Sequence, residues 1–354
     1  MFSTFLVAAA LALQPAEAQT SSEPVETAMA LLNAGELEGA GFDAAMADLR
    51  GAAEAGDGEA MVLLGSIARE GLIEGGEEEA RAWYERARAE ADGDTAGAAT
   101  IFLALGYLFI EGDPAQGRAL LEGLEATGDL AAERDAYLGY DLLLGIGGPA
   151  DPELGQAMIN GAIAQGFDNI VLVETAGDYW NDAGEDGARR SADDAMRLYK
   201  HAARLGSPSA AWRYAMLLLE TGGSAQEAYA YVSGAAEQGF ETAMISRAVM
   251  LATGEGVTQD AASARDWYAR AARQGSAHAA RGLGAMLVTG EGGAPDPATG
   301  YALLDIAARA GDEGAARLLE RLPEDGHPLP DVADIEAAGR AWLTEAGIDV
   351  GDFE

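Results

Sequence analysis

Three histidines, one lysine and a large surplus of carboxylates are the side chains through which this 354-residue sequence could do chemistry. His201, His278 and His327 stand far apart, so a shared metal or a triad built on them is not expected. Lys200, the sole lysine, needs a serine three residues earlier to make a Ser-x-x-Lys nucleophile, and position 197 is Arg197. Neither a Gly-x-Ser-x-Gly elbow nor a His-Glu-x-x-His pair occurs, and the absence of cysteine removes thiolate metal sites, cysteine nucleophiles and disulfides together. With 59 acids, carboxylate pairs arise by chance and say nothing about glycoside chemistry. One cluster is sharper. The segment 182–193, DAGEDGARRSAD, carries acids at the first, fifth and twelfth positions and glycine at the sixth, the order of a calcium-binding loop. Gly184 at the third position and Arg190 at the ninth remove a ligand and add a cation, so an ordinary interhelical insertion is the competing reading. No cofactor is expected.

The charge balance narrows the partners. A net charge of -37 opposes nucleic acid and anionic lipid, which need clustered Lys and Arg to displace counterions. The acids are spread along the chain, which suits either solvation or the steering of a basic partner. The first residues, MFSTFLVAAALALQPAEAQT, give an apolar run from Phe5 to Leu13, a breaker at Pro15 and Ala16-Glu17-Ala18, the pattern of a secretory signal cut after Ala18. That run is shorter than the roughly 20 residues that span a bilayer. The expected location is the periplasm, with the extracellular medium second, and the mature chain is expected to carry no membrane span.

Something must position these side chains, and the sequence supplies it by repetition. The phrase ARDWYARAARQGSAHAA from Ala264 returns in looser form from Glu79, Asp194 and Gln226. Closing glycines recur at Gly56, Gly97, Gly128, Gly166, Gly206, Gly239, Gly275 and Gly311, at intervals of 31 to 41 residues, the period of helical hairpin arrays. Within each interval a first helix carries a Leu-Gly pair, as at Leu64-Gly65, Leu105-Gly106, Leu138-Gly139 and Leu283-Gly284. Glycine inside a helix costs about 1 kcal/mol relative to alanine, so its repetition points to close approach of a neighbouring helix. Second helices start at Asp113-Pro114, Asp151-Pro152 and Asp296-Pro297, where Asp satisfies a free N–H and Pro wastes no hydrogen bond. Hydrophobic residues make up 49% and aromatics only 7%, which suits backbones packed closely through Ala and Gly.

The order Leu-Gly, Gly254-Glu255-Gly256-Val257, Asp260, Trp267-Tyr268, Ala271-Ala272 and Gly275 resembles the Sel-one-like repeat, a longer relative of the tetratricopeptide repeat. The resemblance is fullest over 244–280, fair for the units starting at Ala60 and Ala280, and thinnest over 168–195; together the units cover about four fifths of the chain. The lysine usual before the aromatic pair is replaced, as at Ala264. The resemblance implies an all-α fold, a right-handed α-solenoid of helix-turn-helix repeats whose concave face is lined by first helices. It also implies a non-catalytic adaptor, scaffold or regulator acting on a protein partner, an envelope protein for an exported bacterial member. The organisation expected is a signal peptide over 1–18, a lead-in segment over 19–40, the repeats over 41–322, and a capping helix and tail over 323–354, the helix presenting Ile335, Ala338 and Trp342 on one face.

Aligning the first helices on the Leu-Gly pair places Val62, Leu103, Ala136, Trp212, Ile245 and Arg281 at one position. Ser66, Tyr107, Tyr140, Met216, Val249 and Ala285 fall four residues on. This stripe is more apolar and aromatic than solvation requires, and Tyr107, Tyr140, Trp212, Met216, Ile245 and Arg281 are the candidate partner-binding residues. Packing against the adjoining unit is the alternative for the same side chains. A second functional class, an envelope enzyme or ligand-binding protein, would place its site in the irregular region 168–195 near Tyr179, Trp180 and Asp182.

Overall fold

The computed structural model describes residues 21–182, 184 and 190–348. The expected signal peptide lies outside them, as do residues 183 and 185–189 of the calcium-like loop. Among the described residues there are 18 helices and no strand. Two compact units, Met1–Leu172 and Val173–Glu354, divide the chain. The first holds α1 (Glu23–Ala34), α2 (Ala40–Glu54), α3 (Gly58–Arg69), α4 (Gly76–Glu90), α5 (Gly93–Phe109), α6 (Pro114–Glu122), α7 (Gly128–Leu144) and α8 (Pro152–Ala164). The boundary falls inside α9 (Ile170–Asn181). The second unit continues through α10 (Ala192–Arg204), α11 (Pro208–Glu220), α12 (Ala225–Glu237), α13 (Glu241–Thr253), α14 (Ala261–Arg273), α15 (Ala277–Thr289), α16 (Pro297–Arg309), α17 (Glu313–Glu324) and α18 (Val332–Ala346).

Through most of each unit successive helices pack on one another, the most extensive pairs being α3 with α4, α7 with α8, and α15 with α16, while the last helix, α18, packs on α16 instead of on α17. The closing glycine explains the hairpins. At Gly206, Gly239, Gly275 and Gly311 the backbone is left-handed, with φ of 109°, 85°, 90° and 92°. The next residue's N–H then donates back into the helix: Ser207 to Ala202 O, Phe240 to Ala235 O, Ser276 to Ala271 O and Asp312 to Ala307 O. Only glycine takes that conformation without a Cβ penalty, and the acceptors are alanines because each is fully buried against the neighbouring helix. Ser207, Ser276 and Asp312 do double duty, since their side chains cap α11, α15 and α17.

Two expected closing glycines have other roles. Gly97 lies inside α5, where an added Cβ would strike Leu130, and Gly128 opens α7 instead of closing α6. At both junctions the preceding second helix ends without the glycine turn: α4 runs into extended Ala91, and α6, only nine residues long, is followed by a loop through Thr127.

Two of the four Leu-Gly pairs, those at Gly139 and Gly284, meet a neighbouring backbone as expected, whereas Gly65 and Gly106 make room for the Tyr84 ring and for the Arg69 and Glu77 side chains. A Cβ at Gly139 would lie 2.7 Å from the carbonyl oxygen of Gly155, and one at Gly284 2.8 Å from that of Gly300, so α7 touches α8, and α15 touches α16, backbone to backbone. Asp113, Asp151 and Asp296 accept from Gln116, Leu154 and Thr299 N–H as caps of proline-started helices. In the last helix the buried face centres on Gly339 and Leu343; Ile335, Ala338 and Trp342 flank it half-buried.

The first unit also contains a buried ion pair. Arg118 on α6 donates to Asp141 on α7, whose other oxygen accepts from Gly147 N–H at 2.6 Å, while Arg118 Nη1 donates to Pro149 O at 3.0 Å. The pair fastens the glycine-rich turn 145–150 to the helices on either side, with the Asp141 side chain fully shielded from solvent.

Candidate functional site

The first helices present the same register differently in the two units. In the first unit the leading position is closed: Val62, Leu103 and Ala136 are 8%, 2% and 0% exposed, and Ser66 is fully buried. The Ser66 hydroxyl donates to Val62 O at 3.1 Å and pairs with Tyr84 OH at 3.0 Å, and burial pushes the Tyr84 phenol up to about 12. These side chains belong to the packed interior, and Ser66 meets Tyr84 of the paired second helix α4. Tyr107 and Tyr140 remain half-buried. Burial, then Glu111 and Glu85, raise the Tyr107 phenol, and Tyr140 tilts against Phe109 with ring centroids 6.2 Å apart. Phe109 is 41% exposed, and Ile110 and Leu144 are exposed too, so the open apolar surface here sits at the C-terminal ends of α5 and α7.

In the second unit the register is half-open. Trp212, Met216, Ile245 and Arg281 are all half-buried, and Val249 is 41% exposed. Trp212 donates its indole N–H to Ser246 Oγ at 2.9 Å and tilts against Phe240, which ties α11 to α13 and leaves the side chain half-buried. Arg281 donates to Asp312 Oδ1 at 2.9 Å, so this predicted contact residue serves first as a bridge from α15 to the cap of α17. Burial alone would raise the Asp312 carboxyl. The Ala315 N–H, Arg281 and His278 outweigh it and hold the carboxyl below its ordinary value.

Residues that the sequence alignment passed over belong to the same register. In α9 the slot is filled by Ala176-Gly177, and a Cβ at Gly177 would lie 2.8 Å from the Tyr199 ring, as one at Gly65 would lie 2.6 Å from Tyr84. Glu174 and Asp178 therefore occupy the two face positions. Arg213 on α11 pairs with both, at 3.4 Å from Glu174, while Tyr199 donates to Asp178 at 2.6 Å and Ser207 to Glu174 at 2.8 Å. Burial first, and then Asp178, raise the Tyr199 phenol. The Ala-Gly pair followed by Asp was the signal; the β-branched residues ahead of it obscured the match.

Chemistry outside this face is limited. Arg190, at the ninth position of the calcium-like loop, donates to Tyr179 O at 2.9 Å and covers the Tyr179 ring at 4.4 Å. Tyr179 and Trp180 pack edge to face at 5.2 Å. Among the described residues no three His, Asp or Glu side chains are grouped to hold a metal ion. A cavity of about 430 Å³ in the first unit is lined by Asp57, Glu59, Glu90 and Asp92 with Ser21, Ser22 and Thr95, and no histidine or lysine lines it. Among the described residues Glu133 on α7 is the most displaced carboxyl: burial, then Asp168 and Asp129, push it up to about 7, and its buried Oε2 accepts no hydrogen bond.

Consecutive helical hairpins, joined by left-handed glycines and touching through Ala and Gly, define a helical-repeat protein of the α-solenoid class. The Sel1 repeat family model matches residues 58–92, 175–207, 242–276 and 277–312, so the chain carries four Sel1 repeats, a repeat type that commonly mediates protein–protein interaction. The second of these falls where the sequence resemblance was thinnest. The unmatched stretches between them also fold as hairpins, with α6 cut to nine residues and the aromatic pair of α12 spread to Tyr229 and Tyr231. A Sel1 repeat protein from Oxalobacter formigenes is similar in structure, with a TM-score of 0.54, 24% identity, and coverage of 96% of this chain and 95% of that one. A protective antigen present in uropathogenic Escherichia coli strains, described as displaying an SLR fold, gives a TM-score of 0.52 at 19% identity over 97% and 80% of the two chains. No curated protein matches the sequence.

Proposed function

We propose that the chain is a non-catalytic adaptor, scaffold or regulator, exported to the periplasm, that holds a segment of an envelope protein against its first helices. The observation that carries this reading is the half-open apolar row of the second unit, in which Trp212, Met216, Ile245 and Val249 keep solvent-facing surface on consecutive first helices. Single exposed hydrophobes need no explanation, whereas a contiguous row anchored by a tryptophan fits a contact surface. Export is supported by the apolar run and Ala16-Glu17-Ala18 at the start of the sequence. No helix among the described residues is long and apolar enough to cross a membrane.

The test is capture from an envelope extract with the mature chain as bait, at low and high salt. A partner retained by the wild type and lost with Trp212→Ala, whose melting shows it folded, is the expected result. A centrally placed aromatic anchor is worth roughly 2 kcal/mol or more, about thirtyfold in Kd. A partner held equally by Trp212→Ala and Met216→Ala overturns the assignment of the surface, and an uncleaved chain recovered only from the cytoplasm overturns the export.

A further inference from the structure

In the first unit the lead-in from α8 to α9, residues 165–169, is fastened to α7 through Tyr137. Gly166, with φ of 103°, turns the chain, and Phe167 N–H donates back to Ala162 O at 3.0 Å. The buried Phe167 ring then meets Tyr137 edge to face, with centroids 6.1 Å apart. Asn169 donates its side-chain N–H to the Tyr137 hydroxyl at 3.2 Å, and its Oδ1 accepts from Leu172 N–H at 3.1 Å, which opens α9. Asp168 stands between these two anchors and is exposed. One turn before Tyr137, on the same face of α7, is the half-buried Glu133. Its Oε2 is shielded from solvent and has no hydrogen-bond partner among the described residues.

A carboxylate so placed has neither water nor a donor around that oxygen, and the cost falls on its ionised form. The charges that act on Glu133 are both acids, Asp168 from the lead-in and Asp129 from its own helix. Among the described residues α5, α6 and α8, which also pack on α7, bring no charged group against it. Arg134, next in the chain, is taken up by Asp135 and by Leu124 O. Glu133 in turn adds to burial in raising the Tyr137 phenol. We propose that Glu133 is a proton-operated latch for the lead-in to α9: with its proton held it lets residues 167–169 seat on α7, and once the proton has left to solvent its charge repels Asp168 and draws water into the contact. The seated carboxyl lies at about 7 against the ordinary 4.5, so seating gains fully below pH 4.5 and loses that gain as pH rises through about 7. The released state exposes Phe167 and frees the Asn169 cap, so the first turn of α9 frays with it.

Amide hydrogen exchange on the full chain tests the latch at two N–H groups inside the contact, those of Phe167 and Leu172. Corrected for the intrinsic rate, their protection should fall roughly tenfold between about pH 5.5 and about pH 8. Glu133→Gln, which keeps the shape of the protonated side chain, should hold protection within about twofold across the same interval. Asp168→Asn, at an exposed position that folding does not depend on, should shrink the fall without removing it, because burial acts on Glu133 as well. At the higher pH, exchange at these two groups should not respond to about 1 M urea, the mark of a local opening. A fall of full size in Glu133→Gln assigns the titration to another group and overturns the proposal. An undiminished fall in Asp168→Asn removes the repulsion from it, and exchange that urea accelerates makes the event global unfolding; either result overturns the latch as described.

Discussion

Leu103 in the first unit and Ile245 in the second occupy the same position of the same repeated helix, yet one is 2% exposed and the other half-open. The difference teaches that a register set by close helix packing fixes where a side chain sits along its helix, while the neighbouring helix decides whether that position is core or surface. In the first unit the position is sealed, and polar groups are sealed with it: Ser66 against Tyr84, Arg118 against Asp141, and Glu133 with no partner for one oxygen. In the second unit the equivalent polar groups, Glu174, Asp178 and Arg213, stay half-exposed and pair across helices.

The contrast breaks most visibly at the buried pair. Asp141→Ala strands the Arg118 guanidinium and the Gly147 N–H, and should cost about 3–5 kcal/mol in denaturant unfolding. The equivalent loss in the second unit, Asp178→Ala, should cost less, roughly 1–2 kcal/mol, because its ion pair with Arg213 is screened by solvent and the remaining loss is the acceptor of the Tyr199 hydroxyl. Equal losses would show that the first unit is no more tightly sealed than the second. Next in size, Leu103→Ala should cost about 2–5 kcal/mol and Ile245→Ala clearly less, roughly 1–2 kcal/mol, since only part of its surface leaves water. A reversed order would place Ile245 in the core.

Glu133 sharpens the comparison through pH. Its carboxyl is raised from the ordinary 4.5 to about 7 in the folded chain, so the native state binds the extra proton. The stabilisation is fully present below pH 4.5 and is lost as pH rises through about 7. The change is on the order of 2–3 kcal/mol after allowance for partial solvent access. Glu133→Gln should flatten the stability profile across that window, and an unchanged profile would mean that water already solvates the carboxylate.

Much of the fold is legible in the sequence because its signals are local. Asp-Pro starts, glycine closures and the Leu-Gly pair each report on a few adjacent residues, and the structure places the caps at Asp113, Asp151 and Asp296 where the residue types demand. Gly97 and Gly128 misled because a glycine that admits a neighbouring leucine and one that opens a helix have the same letter as one that closes it. The site was less legible. Alanine lines several sides of these helices, so hydrophobic periodicity does not single out one inward face, and Val62 and Leu103 looked equivalent to Ile245. The Arg118–Asp141 pair, 23 residues apart, leaves no local pattern to find.

Lys200 carries a final consequence. Its ammonium lies 2.7 Å from Glu227 Oε1 and 3.0 Å from the Tyr214 hydroxyl, and over the rings of Tyr214 and Tyr231. Because the sequence holds no other lysine, acylating reagents meet a single side-chain amine, joined by hydrogen bonds to α11 and α12. The rate at which it is modified is a built-in gauge of how often those three helices breathe apart, readable by mass without introducing any label.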